Sequence, residues 1–306
     1  MEAIHTPLIL YIPGLLPKPA PAPHKDALHR CLLEGVRRAD PAVADAIRST
    51  SHSFDLVAWT FDFYGEHRDI ELDRDAIEAV IAQQKASRHD IREASSWSRS
   101  VMIWLYRLGD VLPFLIRPLA SEKMELHLRD LHRYLHNSNG IADHAREMLK
   151  VALRAAWESK RPTLLLAHSM GSVIAFDSLW EMTHDDHDDL VLEELITMGS
   201  PLGQDYLKKR IKGHDQVKAG RYPHNLRRWI NLASVGDMTA IDPTLADDFA
   251  EMRRLQLVES IEDRRLYNFF RLEGQLNVHA EYGYLVNVKT GRAVADWWKA
   301  QSATDS

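Results

Sequence analysis

Short runs that are apolar on both faces alternate along the chain with longer stretches in which apolar residues recur every three or four positions. LILYI (8–12), LVAWTF (56–61), TLLLA (163–167), ELITM (194–198), RRWINLASV (227–235) and RRLYNFF (264–270) read as strands. Strands without a polar face suit a parallel sheet covered on both sides. The spacing predicts helices over about 24–48 and from Ile141 to Trp157, where Ala145, Met148, Leu149, Ala152, Leu153 and Ala156 share one stripe. A further helix should carry Val173, Ile174, Ala175 and Trp180, and GRAVADWWKAQ should form a last one. The pattern is that of an α/β fold with a mostly parallel central sheet and helices on both faces.

One segment does not fit the alternation. Residues 66–136 contain no convincing strand. They are charged as far as 93 and then rich in large apolar groups, among them Trp97, Met102, Trp104, Leu105, Tyr106 and Phe114. An insertion of this kind in a parallel-sheet enzyme is expected as a helical cap, so the chain is read as one domain, 1–306, with a cap at about 66–136. KPAPAP (18–23) is a stiff loop.

The composition is that of an ordinary globular protein, 45% hydrophobic and 27% charged. The net charge of −6 comes from mixed acids and bases, and no basic block suggests a nucleic-acid partner. One cysteine, Cys31, excludes an internal disulfide framework and suits a reducing, cytoplasmic compartment. The first apolar run lacks a basic flank and is broken by Pro13, so it reads as a strand and not a signal peptide. The most apolar window, 101–120, carries Arg107, Asp110, Pro113 and Arg117 and makes a poor membrane span, which leaves room only for peripheral contact with lipid.

The candidate chemistry sits in LLLAHSMGS (164–172). A buried strand ends in Ala167-His168-Ser169-Met170-Gly171, and a helical pattern follows. A serine lifted out of a strand-to-helix turn needs positive φ and small residues two positions away on each side, which Ala167 and Gly171 supply. The helix start also directs N–H groups at any negative charge that develops there.

A serine needs a base, and in this arrangement the order along the chain is serine, acid, histidine. Of the 16 histidines, one lies beyond residue 237: His279, in LNVHAEYGY. The acid is expected after the fifth strand. Asp237 follows that strand and a glycine directly, at the carboxyl end where ligands sit in open parallel sheets. Asp242 is the competitor, although Asp242-Pro243 before a helical run has the form of an N-cap with proline at N1. In IPGLL, Gly14 lets the backbone turn, so the amides of Leu15 and Met170 are the expected oxyanion donors. His168 reads as structural, THDDHDD (183–189) as a solvated loop and not a metal site, and TMGSP (197–201) as a turn without chemistry.

These pieces, IPGL, AHSMGS, SVGD and NVH, resemble the α/β-hydrolase superfamily of serine esterases and lipases. DLHRYLHNSNGIADHAREML, AHSMGSVIAFDSLW and LITMGSPLG look more narrowly like a group of bacterial hydrolases. The resemblance covers the catalytic half of the chain and not 66–136. It implies the α/β-hydrolase fold, a Ser169–His279–Asp237 triad and hydrolysis of a carboxylic ester or related acyl bond, without cofactor or metal. The sequence departs from the commoner pattern in having Ala167 for the first glycine and Pro-Gly for His-Gly in the first loop. The expected substrate is a small acyl ester, with Trp104, Leu105 and Phe114 lining an apolar pocket. A non-catalytic binding protein of this fold and an acyltransferase are the alternatives, and the oligomeric state stays open.

Overall fold

A computed structural model describes residues 6–97, 99 and 122–304. Six strands form one sheet: β1 Leu8–Ile12, β2 Phe54–Leu56, β3 Thr163–His168, β4 Leu192–Met198, β5 Leu226–Ser234 and β6 Ser260–Leu266. Their order is β2-β1-β3-β4-β5-β6, and every neighbouring pair is parallel. A small antiparallel hairpin, β7 Arg271–Leu272 and β8 Gln275–Leu276, lies apart from it.

Side chains alternate between two apolar layers with the strand period of two. Leu10, Ile12, Leu165, Ala167, Leu195 and Trp229 face one layer, beneath the helices Ile141–Glu158 and Met170–His184. Ile9, Tyr11, Leu164, Leu166, Ile196 and Leu232 face the other, beneath the helices Pro21–Ala39 and Val288–Thr304. Those last two helices cross at Gly291, where a Cβ would overlap the Gly35 backbone, and a Cβ on Gly35 would overlap Leu285 O just ahead of the second. With β1 and β3 wholly buried, neither strand has a polar face to show in the sequence.

Three elements differ from the sequence reading. The expected strand 56–61 ends at Leu56. Phe54 and Leu56 pair with Ile9 and Tyr11, and Thr60–Tyr64 turns into a short helix that buries Trp59, Thr60 and Phe63. The expected helix 24–48 is two helices, Pro21–Ala39 and Pro41–Ser49. Asp40 breaks them, accepting the Ala42 and Val43 N–H groups ahead of the second, with proline at its first position. The sixth strand starts earlier than expected. It is the sheet's edge, so its outer positions are polar, as at Glu262 and Arg264, and no apolar run announces it.

Within the segment read as a cap, Glu71–Ala82, Arg88–Ala94 and Glu122–Leu135 are helices. Ile77 and Val80 join the layer under Pro21–Ala39, and Arg271 of β7 grips Asp90 and Glu93. Trp104, Leu105 and Phe114 lie outside the described residues. No described helix is long and apolar enough to cross a membrane.

Candidate active site

The chain order reverses between β1 and β3: β2 lies on one side of β1, and β3 to β6 lie on the other. The loops leaving β1 and β3 therefore diverge at the carboxyl ends of the strands, the place where ligands sit in open parallel sheets. Ser169 stands there, with φ 52° and ψ −124° between β3 and the helix Met170–His184. For a non-glycine residue that backbone costs on the order of 1–3 kcal/mol, which the surroundings must offset. They do so through hydrogen bonds. The Ser169 amide donates to Met198 O (2.8 Å), and Ser169 O accepts from the Ser172 amide (2.9 Å) and from Ser172 Oγ (2.6 Å). Ser172 Oγ in turn accepts from Ser200 Oγ at 2.7 Å.

Of the two small residues flanking Ser169, Gly171 lies against the end of β1. A Cβ on Gly171 would lie 2.5 Å from Ile12 O and 2.8 Å from Pro13 O, so this glycine admits the end of β1.

Ser169 Oγ is 2.9 Å from His279 Nε2, and His279 Nδ1 is 2.8 Å from Asp237 Oδ2. His279 lies between β8 and the helix Glu281–Leu285, and Asp237 just beyond β5. Asp237 is 2% exposed. Burial pushes its carboxyl up, but the His279 imidazole, the Tyr284 hydroxyl and the Thr239 amide outweigh that and hold it below the ordinary aspartate value. It is therefore the ionised partner, and His279 presents its Nδ1 proton to it.

Asp242 takes no part. Its Oδ1 accepts from the Thr244 amide and hydroxyl, closing a turn. It is not the expected helix cap either: the next helix starts at Leu245, and its first amides, Leu245 and Ala246, are held by Asp263.

The loop after β1 places Gly14 against the serine. A Cβ there would fall 2.7 Å from Ser169 Cβ and 3.2 Å from Oγ. Trp59 Nε1 donates to Pro13 O at 2.9 Å, and the Leu16 amide donates to Tyr64 Oη at 2.9 Å. With Pro13 O held by Trp59, the trans peptide turns the Gly14 N–H the opposite way. Met170, from the other wall, is the first residue of its helix, where free N–H groups carry partial positive charge. Leu15 packs against the first apolar layer between these fixed points.

Several residues that pattern reasoning passed over shape this arrangement. Gly199, in the TMGSP turn, has φ 58°, and a Cβ on it would lie 2.9 Å from Asp237 Oδ2 and 3.0 Å from His279 Nδ1. Gly199→Ala should destabilise the fold by roughly 1–2 kcal/mol through the left-handed backbone alone, and push the acid and histidine apart. Denaturant unfolding measures the first effect. Unchanged stability would mean that the turn absorbs the methyl group.

His168 Nε2 lies 2.8 Å from His279 O, so it carries the proton and donates to that carbonyl. Burial, then the neighbouring His279, pushes the His168 pKa down to about 3, and the ring is a neutral prop. Glu281, two residues past His279, is buried and accepts from Tyr11 Oη (2.9 Å) and Lys18 Nζ (2.9 Å), with His24 Nε2 at 3.2 Å. Burial raises its carboxyl, but Lys18 and His24 overcome this and keep it well below the usual range. This buried cluster pins the His279 loop to β1 and to the helix Pro21–Ala39. A glycine directly after a strand was the one available signal for Gly199. The polar partners come from distant parts of the chain and leave none.

Among the described residues no group of His, Cys, Asp and Glu is arranged to hold a metal ion. In the loop 183–189, Asp186 and Asp188 pair with Lys150 and Arg154. An open cavity of about 480 Å³ beside that loop is lined by Asp143, Glu147, Lys150, Glu181 and Asp186, too charged for an acyl chain. Comparison of the chain with models of known families, with curated proteins and with solved structures finds no match.

Proposed function

We propose that the chain is a serine hydrolase of the α/β-hydrolase type that cleaves a carboxylic ester or related acyl bond. The observation that carries this reading is the unbroken hydrogen-bonded line from Ser169 Oγ through His279 to the buried Asp237, on a serine held at positive φ. A serine used only for packing has no need of that backbone. The chain order of serine after β3, acid after β5 and histidine after β8 supports the same type.

In the reaction, His279 Nε2 takes the proton of Ser169 Oγ as the oxygen attacks the acyl carbonyl. Asp237 keeps the imidazole oriented and stabilises its charge. The developing oxyanion is received by the N–H groups of Met170 and the Gly14–Leu15 loop. His279 then protonates the leaving alcohol, and water, activated by the same imidazole, releases the acyl group. The chemistry uses side chains and backbone alone, with no cofactor. The lone Cys31 is fully buried, and burial pushes its thiol well up, so it takes no part in this chemistry.

Incubation with a fluorophosphonate probe, followed by mapping of the modified peptide, tests the assignment: the label should sit on Ser169. Absence of labelling in folded protein would overturn it. The substrate class has its own test. With Trp104, Leu105 and Phe114 as pocket walls, each acyl methylene buried should contribute up to about 0.8 kcal/mol, or roughly fourfold in kcat/KM. A series of p-nitrophenyl esters should therefore rise with chain length until the pocket is full. A flat series, or an optimum at acetate that survives Trp104→Ala and Phe114→Ala, would remove the apolar pocket.

A further inference from the structure

The carboxylate of Asp237 receives more than the imidazole. Its Oδ2, which lies 2.8 Å from His279 Nδ1, also accepts the hydroxyl of Tyr284 at 2.7 Å, and its Oδ1 accepts the Thr239 amide at 2.9 Å. The Tyr284 oxygen accepts the Ser234 amide at 2.8 Å, so its one proton is directed at the carboxylate. The ring is fully buried on the helix Glu281–Leu285, which follows His279 directly. One short segment thus supplies both the base and a second donor to the acid.

We propose that Tyr284 is a positioning residue of the Asp237–His279 pair, its hydroxyl fixing the rotation of the carboxylate and drawing off part of the charge that otherwise falls on the imidazole. Its kinetic consequence rests on the serine-hydrolase reading; its effect on His279 does not. Burial, then the Asp237 charge, pushes the Tyr284 phenol well above its usual range, so it stays a donor at any working pH. Two donors on one carboxylate oxygen compete for the same charge, and removing one strengthens the other.

Other described groups stand near His279. His168, its ring 4.8 Å away, is neutral, and Ser169 is uncharged. Glu281 is already paired with Lys18 and His24 and bonded to Tyr11. Gly199 offers backbone only, and the Arg265 charge is felt at the Tyr284 phenol. Among the described residues, Tyr284 and Asp237 are therefore the charged or hydrogen-bonding side chains that act on the imidazole most directly.

Tyr284→Phe tests this, read first by NMR titration of His279, which is assigned by comparison with His279→Gln. The undiluted carboxylate should stabilise the imidazolium, so the titration should move upward by roughly half a pH unit to one unit. The acid limb of kcat/KM should move up with it. At neutral pH kcat should fall about tenfold with KM unchanged, as for other residues that orient a catalytic ligand from behind. In the Asp237→Asn background the same substitution should add no further loss. An unmoved His279 titration, or an equal loss in both backgrounds, would overturn the proposal. Should Tyr284→Phe fail to fold, 3-fluorotyrosine placed at 284 keeps the shape and makes a stronger donor. It should then move His279 downward, and an unmoved titration would again overturn the proposal. If Ser169 takes no label while His279 responds, the hydrolase reading fails and the Tyr284 coupling stands.

Discussion

Ser169→Ala should abolish ester hydrolysis, with kcat falling by about 10⁶-fold, and should end fluorophosphonate labelling, while the protein stays folded. The size of the loss follows from the role. Histidine and acid without a nucleophile cannot form the acyl-enzyme, and in serine hydrolases removal of the serine alone costs about as much as removal of the whole triad. The fold should survive because little of the side chain's environment depends on Oγ. Ser169 is 9% exposed, and the bonds that hold its strained backbone come from the Met198 carbonyl and from Ser172 to main-chain atoms. The one side-chain bond lost, to His279, is worth about 1 kcal/mol net. Circular dichroism and thermal unfolding read the fold, and the labelled-peptide map reads the site. Persistent labelling of the alanine variant would place the nucleophile elsewhere.

Asp237→Asn is expected to lower kcat by about 10⁴-fold, the loss seen where an asparagine forces the histidine into the wrong tautomer. The geometry makes the reason concrete. Oδ2 must accept from both His279 Nδ1 and Tyr284 Oη, and an amide nitrogen in that position can only donate. If the oxygen of the amide faces the pair instead, its nitrogen meets the Thr239 amide, another donor. Either orientation leaves a buried conflict, so stability should fall as well, by about 1–3 kcal/mol. Asp242→Asn provides the contrast: its turn to Thr244 survives the change and kcat should hold. A large kinetic loss at Asp242 and none at Asp237 would reverse the two assignments.

The central strands were legible because burial on both faces leaves nothing but apolar residues, as in LILYI and TLLLA. Legibility failed where that condition fails. Edge strand β6 shows Glu262 and Arg264 outward, so the expected strand slid forward onto Phe269 and Phe270, which belong to the core but not to the sheet. At the other edge, Val57, Trp59 and Phe63 continue the apolar character past Leu56, although the sheet register has ended. For the site, the small residues flanking Ser169, the strand-end position of Asp237 and the serine–acid–histidine order singled out three residues that the hydrogen bonds of His279 link in a line. Tyr284, Glu281 and Trp59 were not legible. Each works through a contact with a residue far along the chain, and a buried tyrosine or tryptophan looks in sequence like any other core residue.

The crossing of Pro21–Ala39 with Val288–Thr304 bears on the order in which the pieces of the site can be assembled during synthesis. Ser169 and its helix leave the ribosome early enough to fold against β1, but His279 hangs from the segment between β6 and Val288–Thr304. That segment is fastened by Glu281 to Tyr11 of β1 and lies with Leu285 O against Gly35 of the helix Pro21–Ala39. Until the closing helix has emerged and seated, the nascent chain holds a serine with no base beside it. Ser169, Asp237 and His279 therefore come within hydrogen-bond distance only when segments far apart along the chain are all in place.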